Sequence, residues 1–195
     1  FYFSLVCFTV FSIFIFGNYE INKNKEKLNK INNKVFVKII SPNFDLKYGL
    51  NEKQIEDRFR KIIRYSDPAK DKKTLFIWPE GVFSGYSYEE VLIFKELIKK
   101  NFSKKHFIIF GVNRLDQKSG NYYNSMIIVN NNFEIIQSYN KRKLVPFGEF
   151  LPFENFFNKL GLKKITEGHG SFLKGDKNDN LIIEKLNILP LICYE

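Results

Sequence analysis

The chain has 195 residues, of which 44% are hydrophobic and 17% aromatic, enough for one domain with a sizeable core. Its net charge is +10, but the lysines are scattered rather than concentrated with arginine on one face, which argues against a nucleic-acid-binding protein. The two cysteines, Cys7 in an apolar leader and Cys193 after an apolar run, exclude a disulfide scaffold.

Residues 1–16 carry no charge and would form a helix about 24 Å long, slightly short of a bilayer span. The chain starts with Phe1 rather than Met, so we expect residues 1–17 to be the end of a transmembrane helix whose beginning lies upstream. A signal peptide or a buried core helix is the alternative. Residues 18–34 are interpreted as a Lys/Asn-rich linker. Taken alone, its lysines favour the cytoplasmic side of the membrane according to the positive-inside rule. That rule becomes weaker when a long domain is translocated.

Strand-like and helix-like runs alternate over residues 35–195. One predicted helix extends from Glu52 to about Tyr65, and a second from Ser87, which opens a Ser-x-x-Glu capping box, to about Lys100. The predicted strands are Val35–Ile40, Leu75–Trp78, Phe107–Gly111, Ser125–Val129, Phe133–Ser138, Leu181–Ile183 and Ile188–Cys193. The alternation predicts a layered α/β domain.

Glu80 follows the buried strand that ends at Trp78. A carboxylate beside an indole at the end of a core strand is expected to be partly desolvated, which would raise its pKa and make it a better base. An ordinary surface acid after a strand is the alternative.

Lys141 lies eight positions before Glu149, and a Pro146-Phe147-Gly148 turn of little conformational freedom separates them. A cation and an anion on either side of so constrained a turn suggest a functional site. The neighbouring cations Arg142 and Lys143 favour the alternative of a solvated strand edge.

Cys193 ends an apolar run and is followed at once by Tyr194 and Glu195. A cysteine in such a place is commonly a small buried hydrophobe, but strand ends are also where α/β domains carry catalytic groups. A nucleophilic thiol needs a base and a cation for the oxyanion of its intermediate. Glu80, Lys141 and Cys193 supply these roles without a histidine.

The order Glu80, Lys141, Cys193, within the motifs WPE, YNK, LVPFGEFLP and ICYE, resembles the carbon–nitrogen hydrolase (nitrilase) superfamily. Within it the chain is most similar to the apolipoprotein N-acyltransferase branch, in which LVPFGE follows the lysine. The resemblance covers residues 35–195, and Tyr122 to Ser125, Phe172 and Gly175 also fit it.

The resemblance implies a four-layer α-β-β-α sandwich, incomplete at its C-terminus, on the periplasmic side of a bacterial inner membrane. It implies a monomer without cofactor or metal that moves an acyl chain from a phospholipid to the α-amino group of a lipoprotein's diacylglyceryl-cysteine. Cys193 would be the nucleophile, Glu80 the general base and Lys141 the oxyanion partner. Supporting or substrate-binding roles would fall to Glu149, Tyr194, Glu195, Trp78 and Tyr48.

The chain departs from the family between Pro42 and Tyr48, where the loop is shorter and Tyr48 stands near the position of a tryptophan. Residues 150–162 are rich in phenylalanine, and part of this segment is expected to face lipid, with a plain core helix as the alternative. Two other functions stay open. One is a membrane-anchored amidase or nitrilase with the same triad, and the other is an inactive, tethered interaction domain.

Overall fold

The computed structural model describes residues 2–29, 35–45, 47, 49–152, 171–176 and 180–195, with the side chains of 26–29 left out. The chain divides into two compact units, Phe1–Lys34 and Val35–Glu195. The first contains helix α1, Tyr2–Asn29. Within α1, Tyr2–Lys25 is long and apolar enough to cross a membrane, a test that an N-terminal signal sequence would also pass.

Helix α1 does not end at Gly17, after which the sequence predicted a linker over residues 18–34. A Cβ at Gly17 would meet no atom within 4 Å, so the helix has no close packing there, and one glycine costs a helix only about 1 kcal/mol. The lysines and glutamates that follow are good helix formers, and they continue the helix to Asn29.

The second unit is built on a five-stranded sheet in the order β1-β2-β3-β4-β5. Strands β1, β2 and β3 are parallel, whereas β4 is antiparallel to both β3 and β5. The strands are β1 Phe36–Ile39, β2 Thr74–Ile77, β3 His106–Leu115, β4 Tyr122–Val129 and β5 Ile135–Asn140. The predicted α/β domain and its β4–β5 hairpin are confirmed, with longer β3 and β4 strands than the sequence indicated.

Helices cover one face of this sheet. Helix α2, Glu52–Ser66, starts at a capping box between Asn51 and Gln54 and buries the predicted face that includes Ile55, Phe59 and Ile62. The predicted second helix is broken into α3 Tyr88–Val91, a 3₁₀ turn Leu92–Phe94 and α4 Lys95–Asn101. Its capping box between Ser87 and Glu90 is present. The large aromatic core lies between these helices and the sheet.

A two-stranded hairpin of β6 Leu181–Ile183 and β7 Leu186–Ile188 contributes to a smaller core with the side chains of the alternate sheet face, including Leu75, Ile109 and Tyr139. The predicted strand Ile188–Cys193 was wrong, because β7 ends at Ile188. Pro190 has no N–H to extend the ladder, and Cys193 turns the chain with a φ of 58°.

Candidate active site

The sheet topology brings Glu80 and Lys141 to the same edge. Strand β5 is antiparallel to β4 and β4 to β3, so β5 runs in the same direction as β2. Glu80 follows the carboxyl end of β2, and Lys141 follows the carboxyl end of β5. The amino end of β4, which carries Asn124, lies at this edge too.

Lys141 forms a buried ion pair with Glu149. Its Nζ lies 2.8 Å from Glu149 Oε2, and the two side chains are 1% and 15% exposed. Glu149 Oε1 accepts a hydrogen bond from Asn124 Nδ2 at 2.9 Å, and Oε2 accepts one from the Val145 N–H at 2.9 Å. Burial alone would raise the pKa of Glu149, but the hydrogen bonds from Lys141, Val145 and Asn124 together lower it.

This lowered pKa predicts a loss of stability in acid. A carboxyl with a depressed folded-state pKa stabilises the fold fully above its unfolded-state pKa, and that contribution disappears as the pH falls through the folded-state pKa. Between about pH 5 and pH 3 the wild-type protein should therefore lose more unfolding free energy than Glu149→Gln. Denaturant titrations of both proteins across this range measure the difference, and parallel pH profiles would contradict it.

The turn between Lys141 and Glu149 is as tight as the sequence predicts. Phe147 has a φ of 62°, the Phe147 N–H donates to the Phe150 carbonyl at 2.8 Å, and the Glu149 N–H donates to the Val145 carbonyl at 2.8 Å. The turn thus returns the Glu149 carboxylate to the ammonium of Lys141.

Gly175 packs directly against the chain entering Lys141. Its N–H donates to the Lys141 carbonyl at 2.9 Å, and a Cβ added at Gly175 would lie 2.1 Å from the Asn140 carbonyl oxygen. Only glycine fits this close approach.

Gly175→Ala is expected to reduce the unfolding free energy by about 1–3 kcal/mol, because backbone must move to admit the methyl group. The same movement should displace Lys141 and reduce activity. Denaturant titration measures the stability loss. Gly17→Ala, where a Cβ meets nothing within 4 Å, is the control and should leave stability unchanged or slightly raised. Equal behaviour of the two variants would refute the packing argument.

The loop that carries Glu80 is held by contacts with the aromatic core and with helix α2. Val82 and Phe83 are buried in the aromatic core, and Arg58 of α2 donates from Nη1 to the Val82 carbonyl at 3.1 Å. The side chain of Glu80 itself is exposed, so the expected partial desolvation was wrong. The reason is that the Trp78 indole lies in the aromatic core and donates to Ser66 Oγ at 3.0 Å instead of covering the carboxylate.

Cys193 lies in a turn and is exposed, rather than buried at a strand end. Its φ of 58° is in the left-handed region, which a non-glycine residue adopts at a cost and which is concentrated at functional sites. The preceding Ile192 is 6% exposed and packs in the smaller core, and so fixes the chain where the thiol emerges.

Glu195 links the Cys193 turn to the chain after Lys141. Its Oε1 accepts hydrogen bonds from the Arg142 N–H at 2.7 Å and the Lys143 N–H at 3.1 Å, and its Oε2 accepts one from the Ile192 N–H at 3.3 Å. The buried Tyr139 hydroxyl also donates to Oε1. Burial and this carboxylate raise the pKa of Tyr139 to about 12, so the hydroxyl stays protonated.

Glu195→Gln is expected to lower the unfolding free energy by about 1.5–3 kcal/mol, because an amide cannot accept all of these hydrogen bonds. It should also lower the rate of reaction at Cys193 more than it weakens substrate binding, since the linked segments carry Lys141 and Cys193. Stability and the separate kcat and KM values test this. Glu96→Gln, on an exposed helix face, is the matched control. A change confined to KM would contradict the positioning role.

All three predicted catalytic residues line one cavity of about 640 Å³. Glu149 and Trp78 line it as well, but Tyr194 does not and is 81% exposed. The walls of the cavity are largely apolar, and include Ile77, Phe83, Ile109, Val112, Met126, Leu189, Leu191 and Ile192. Tyr48 and residues 153–162 lie outside the described residues. Of the predicted lipid-facing segment, Leu151 is buried and Phe150 is half-buried.

Comparison with known proteins decides the family. The carbon–nitrogen hydrolase profile matches residues 47–195, which contain every residue of this cavity. The chain belongs to the carbon–nitrogen hydrolase family. The predicted nitrilase-like α/β fold is therefore confirmed.

Two curated relatives extend the comparison. The chain is 30% identical over 174 residues to an apolipoprotein N-acyltransferase of Rhodopseudomonas palustris, a match that covers 83% of this chain and 32% of that protein. It is 32% identical over 182 residues to an apolipoprotein N-acyltransferase of Wigglesworthia glossinidia brevipalpis, covering 88% of this chain and 34% of that protein. The chain thus spans about a third of the length of the curated relatives it matches.

Among solved structures, a carbon–nitrogen hydrolase from Helicobacter pylori is similar, with a TM-score of 0.47 and 18% identity. That match covers 76% of this chain and 47% of the other.

Sequence reasoning gave no role to three residues that hold the candidate site together: it did not name Arg58, and it named Asn124 and Gly175 only as part of the family resemblance. Asn124 holds Glu149, Arg58 holds the Glu80 loop, and Gly175 packs against Lys141. An asparagine near a strand start and an arginine on an apolar helix face are weak signals alone. Only the tertiary fold shows what lies beside each of them.

Proposed function

We propose that this chain is the catalytic part of an N-acyltransferase. It would move a fatty acyl chain from a phospholipid to the α-amino group of the diacylglyceryl-cysteine of apolipoproteins through a Cys193 thioester. The observation that carries the proposal is the convergence of Glu80, Lys141 and Cys193 on one largely apolar cavity of about 640 Å³. The similarity to proteins named apolipoprotein N-acyltransferase, over most of this chain, supports it.

In the first half-reaction Glu80 accepts the proton of the Cys193 thiol, and Sγ attacks the carbonyl carbon of the phospholipid ester. A carbon–sulfur bond forms, and the carbonyl oxygen becomes an oxyanion. When the intermediate collapses, the ester carbon–oxygen bond breaks and Glu80 returns its proton to the leaving alkoxide. The products are a lysophospholipid and an acyl group on Cys193.

In the second half-reaction the neutral α-amine of the lipoprotein attacks the thioester carbon. A carbon–nitrogen bond forms, the carbon–sulfur bond breaks, and the proton lost by nitrogen passes through Glu80 to the thiolate of Cys193. The enzyme is thereby regenerated. The thioester keeps the acyl group activated while the two lipids exchange.

Lys141 is suited to stabilise the oxyanion in both half-reactions. An ammonium has three N–H donors, and among the described residues only Glu149 pairs with this one. The remaining donors are available to a charge that develops in the cavity. Glu149, itself held by Asn124 and Val145, fixes the position of the ammonium before the reaction starts.

The proposed location is the bacterial inner membrane, with the catalytic domain on the periplasmic side. Helix α1 would anchor the protein, since Tyr2–Lys25 is long and apolar enough to span the bilayer. The partners would be a phospholipid donor and a diacylated apolipoprotein acceptor, and the enzyme would act as a monomer without a cofactor.

Product analysis tests the function. Full-length protein in detergent is incubated with phosphatidylethanolamine and a synthetic diacylated lipopeptide, with Cys193→Ala as control. We expect an N-acylated lipopeptide and lysophospholipid in equal amounts, and neither with the variant. Release of free fatty acid at the same rate with and without the lipopeptide would identify a hydrolase and overturn the proposal.

A further inference from the structure

A second cavity, of about 350 Å³, lies beside the segment that leads to Cys193. Three cationic residues line it, Arg142, Lys143 and Lys174, together with the carboxylate of Glu195. We call it the basic cavity. The reaction proposed above makes no use of it.

Within the described part of the chain, the cations of the basic cavity have no carboxylate partner. Among the described residues, no ion pair includes Arg142, Lys143 or Lys174, and Glu195 already accepts from Tyr139 and from backbone N–H groups. Arg142 Nε is buried and has no hydrogen-bond partner in the described part of the chain. A buried donor without an acceptor is costly, and an anion bound to this guanidinium would offset part of that cost.

The basic cavity adjoins the cavity that contains Cys193. Leu189 and Leu191 line both cavities. Lys141 lines the larger cavity, and the next residue, Arg142, lines the basic one. A ligand with an anionic group in the basic cavity and an apolar chain in the larger one would pass over these two leucines.

We propose that the basic cavity binds the phosphate of the phospholipid acyl donor, with Arg142 as the main ligand and Lys143 and Lys174 as additional cations. This inference rests on the proposed function, since it assigns the donor's phosphate to a defined place next to the thiol. A guanidinium presents several N–H donors in a plane and binds phosphate oxygens through more than one of them. The ester carbonyl then reaches Cys193 while the acyl chain contacts the apolar walls.

The test compares two acyl donors. Phosphatidylethanolamine carries the phosphate, and p-nitrophenyl palmitate carries the same kind of acyl chain without it. The rate of thioester formation on Cys193 is measured for the full-length wild-type protein, Arg142→Gln, Lys174→Gln and the control Lys104→Gln. Lys104 is exposed and lines neither cavity.

For Arg142→Gln the rate with phosphatidylethanolamine should fall about tenfold more than the rate with p-nitrophenyl palmitate, because a charge-assisted hydrogen bond to the phosphate is lost. Lys174→Gln should show the same selectivity with a smaller ratio, and Lys104→Gln should match the wild type with both donors. Equal losses with both donors, or no loss with either, would overturn the assignment.

Phosphorus NMR provides an arm that does not depend on catalysis. Dihexanoylphosphatidylethanolamine and inorganic phosphate are titrated separately with the wild type, Arg142→Gln and Lys104→Gln. Lipid binding that Arg142→Gln weakens and Lys104→Gln retains supports the inference, even if no thioester forms and the proposed function fails. Binding of inorganic phosphate alone would assign the cavity to a free anion and overturn the lipid assignment, as would the absence of binding to both.

Discussion

Lys141→Met is expected to lower the unfolding free energy by about 3–5 kcal/mol, because it leaves the buried carboxylate of Glu149 without its cation. The rate of thioester formation should fall by about 10²–10³-fold or more, the usual effect of removing one oxyanion donor. Denaturant titration and thioester kinetics of the full-length protein measure the two losses separately.

The double variant Lys141→Met, Glu149→Gln separates these effects. With both charges removed, no uncompensated charge is buried, so at least half of the stability loss should be recovered. Activity should not recover, because the cation for the oxyanion is still absent. Recovery of both properties would show that Lys141 acts only through the fold. Additive stability losses in the double variant would contradict the ion pair.

Cys193→Ala is expected to abolish acyl transfer, with a loss of at least about 10⁴-fold, because no thioester can form. Cys193→Gly should be equally inactive but more stable than Cys193→Ala by about 0.5–1 kcal/mol. Glycine removes the steric cost of a φ of 58°, which is about 1–2 kcal/mol. Part of this stabilisation is lost because glycine also raises the conformational entropy of the unfolded chain.

The comparison of the glycine and alanine variants tests whether the Cys193 turn is strained. Unfolding midpoints of the two proteins measure it, and Ile192→Val is the control for a change in the neighbouring packing that leaves φ unaffected. A glycine variant less stable than the alanine variant would contradict the strain.

Local patterns predicted the elements whose side chains repeat regularly. Helix α2 follows from the spacing of Ile55, Phe59 and Ile62, and the β4–β5 hairpin follows from its apolar runs and the asparagines between them. The turn before Glu149 was predictable from Pro146 and Gly148. In each case the signal lies within a few residues of the structure that it specifies.

The wrong predictions concern contacts that local pattern does not encode. The environment of the Glu80 carboxylate depends on which face of the sheet carries the Trp78 side chain. Trp78 lies on the face covered by helix α2, where its indole donates a hydrogen bond to Ser66. Strand β7 ends where β6 no longer provides a pairing partner. The apolar run up to Cys193 therefore has the local pattern of a strand, although its last residues pair with none of the described ones. Local pattern also cannot show that Lys174 lines the same cavity as Arg142 and Lys143, because that proximity arises only in the fold.

The most direct test of the central claim is mass spectrometry of the full-length protein after incubation with phosphatidylethanolamine. We expect Cys193 to gain the mass of one fatty acyl group and to lose it when a diacylated lipopeptide is added. Glu80→Gln and Lys141→Met should show little or no adduct. An unmodified Cys193 in an active preparation, or an adduct on another residue, would contradict the proposal that these three residues form one catalytic site.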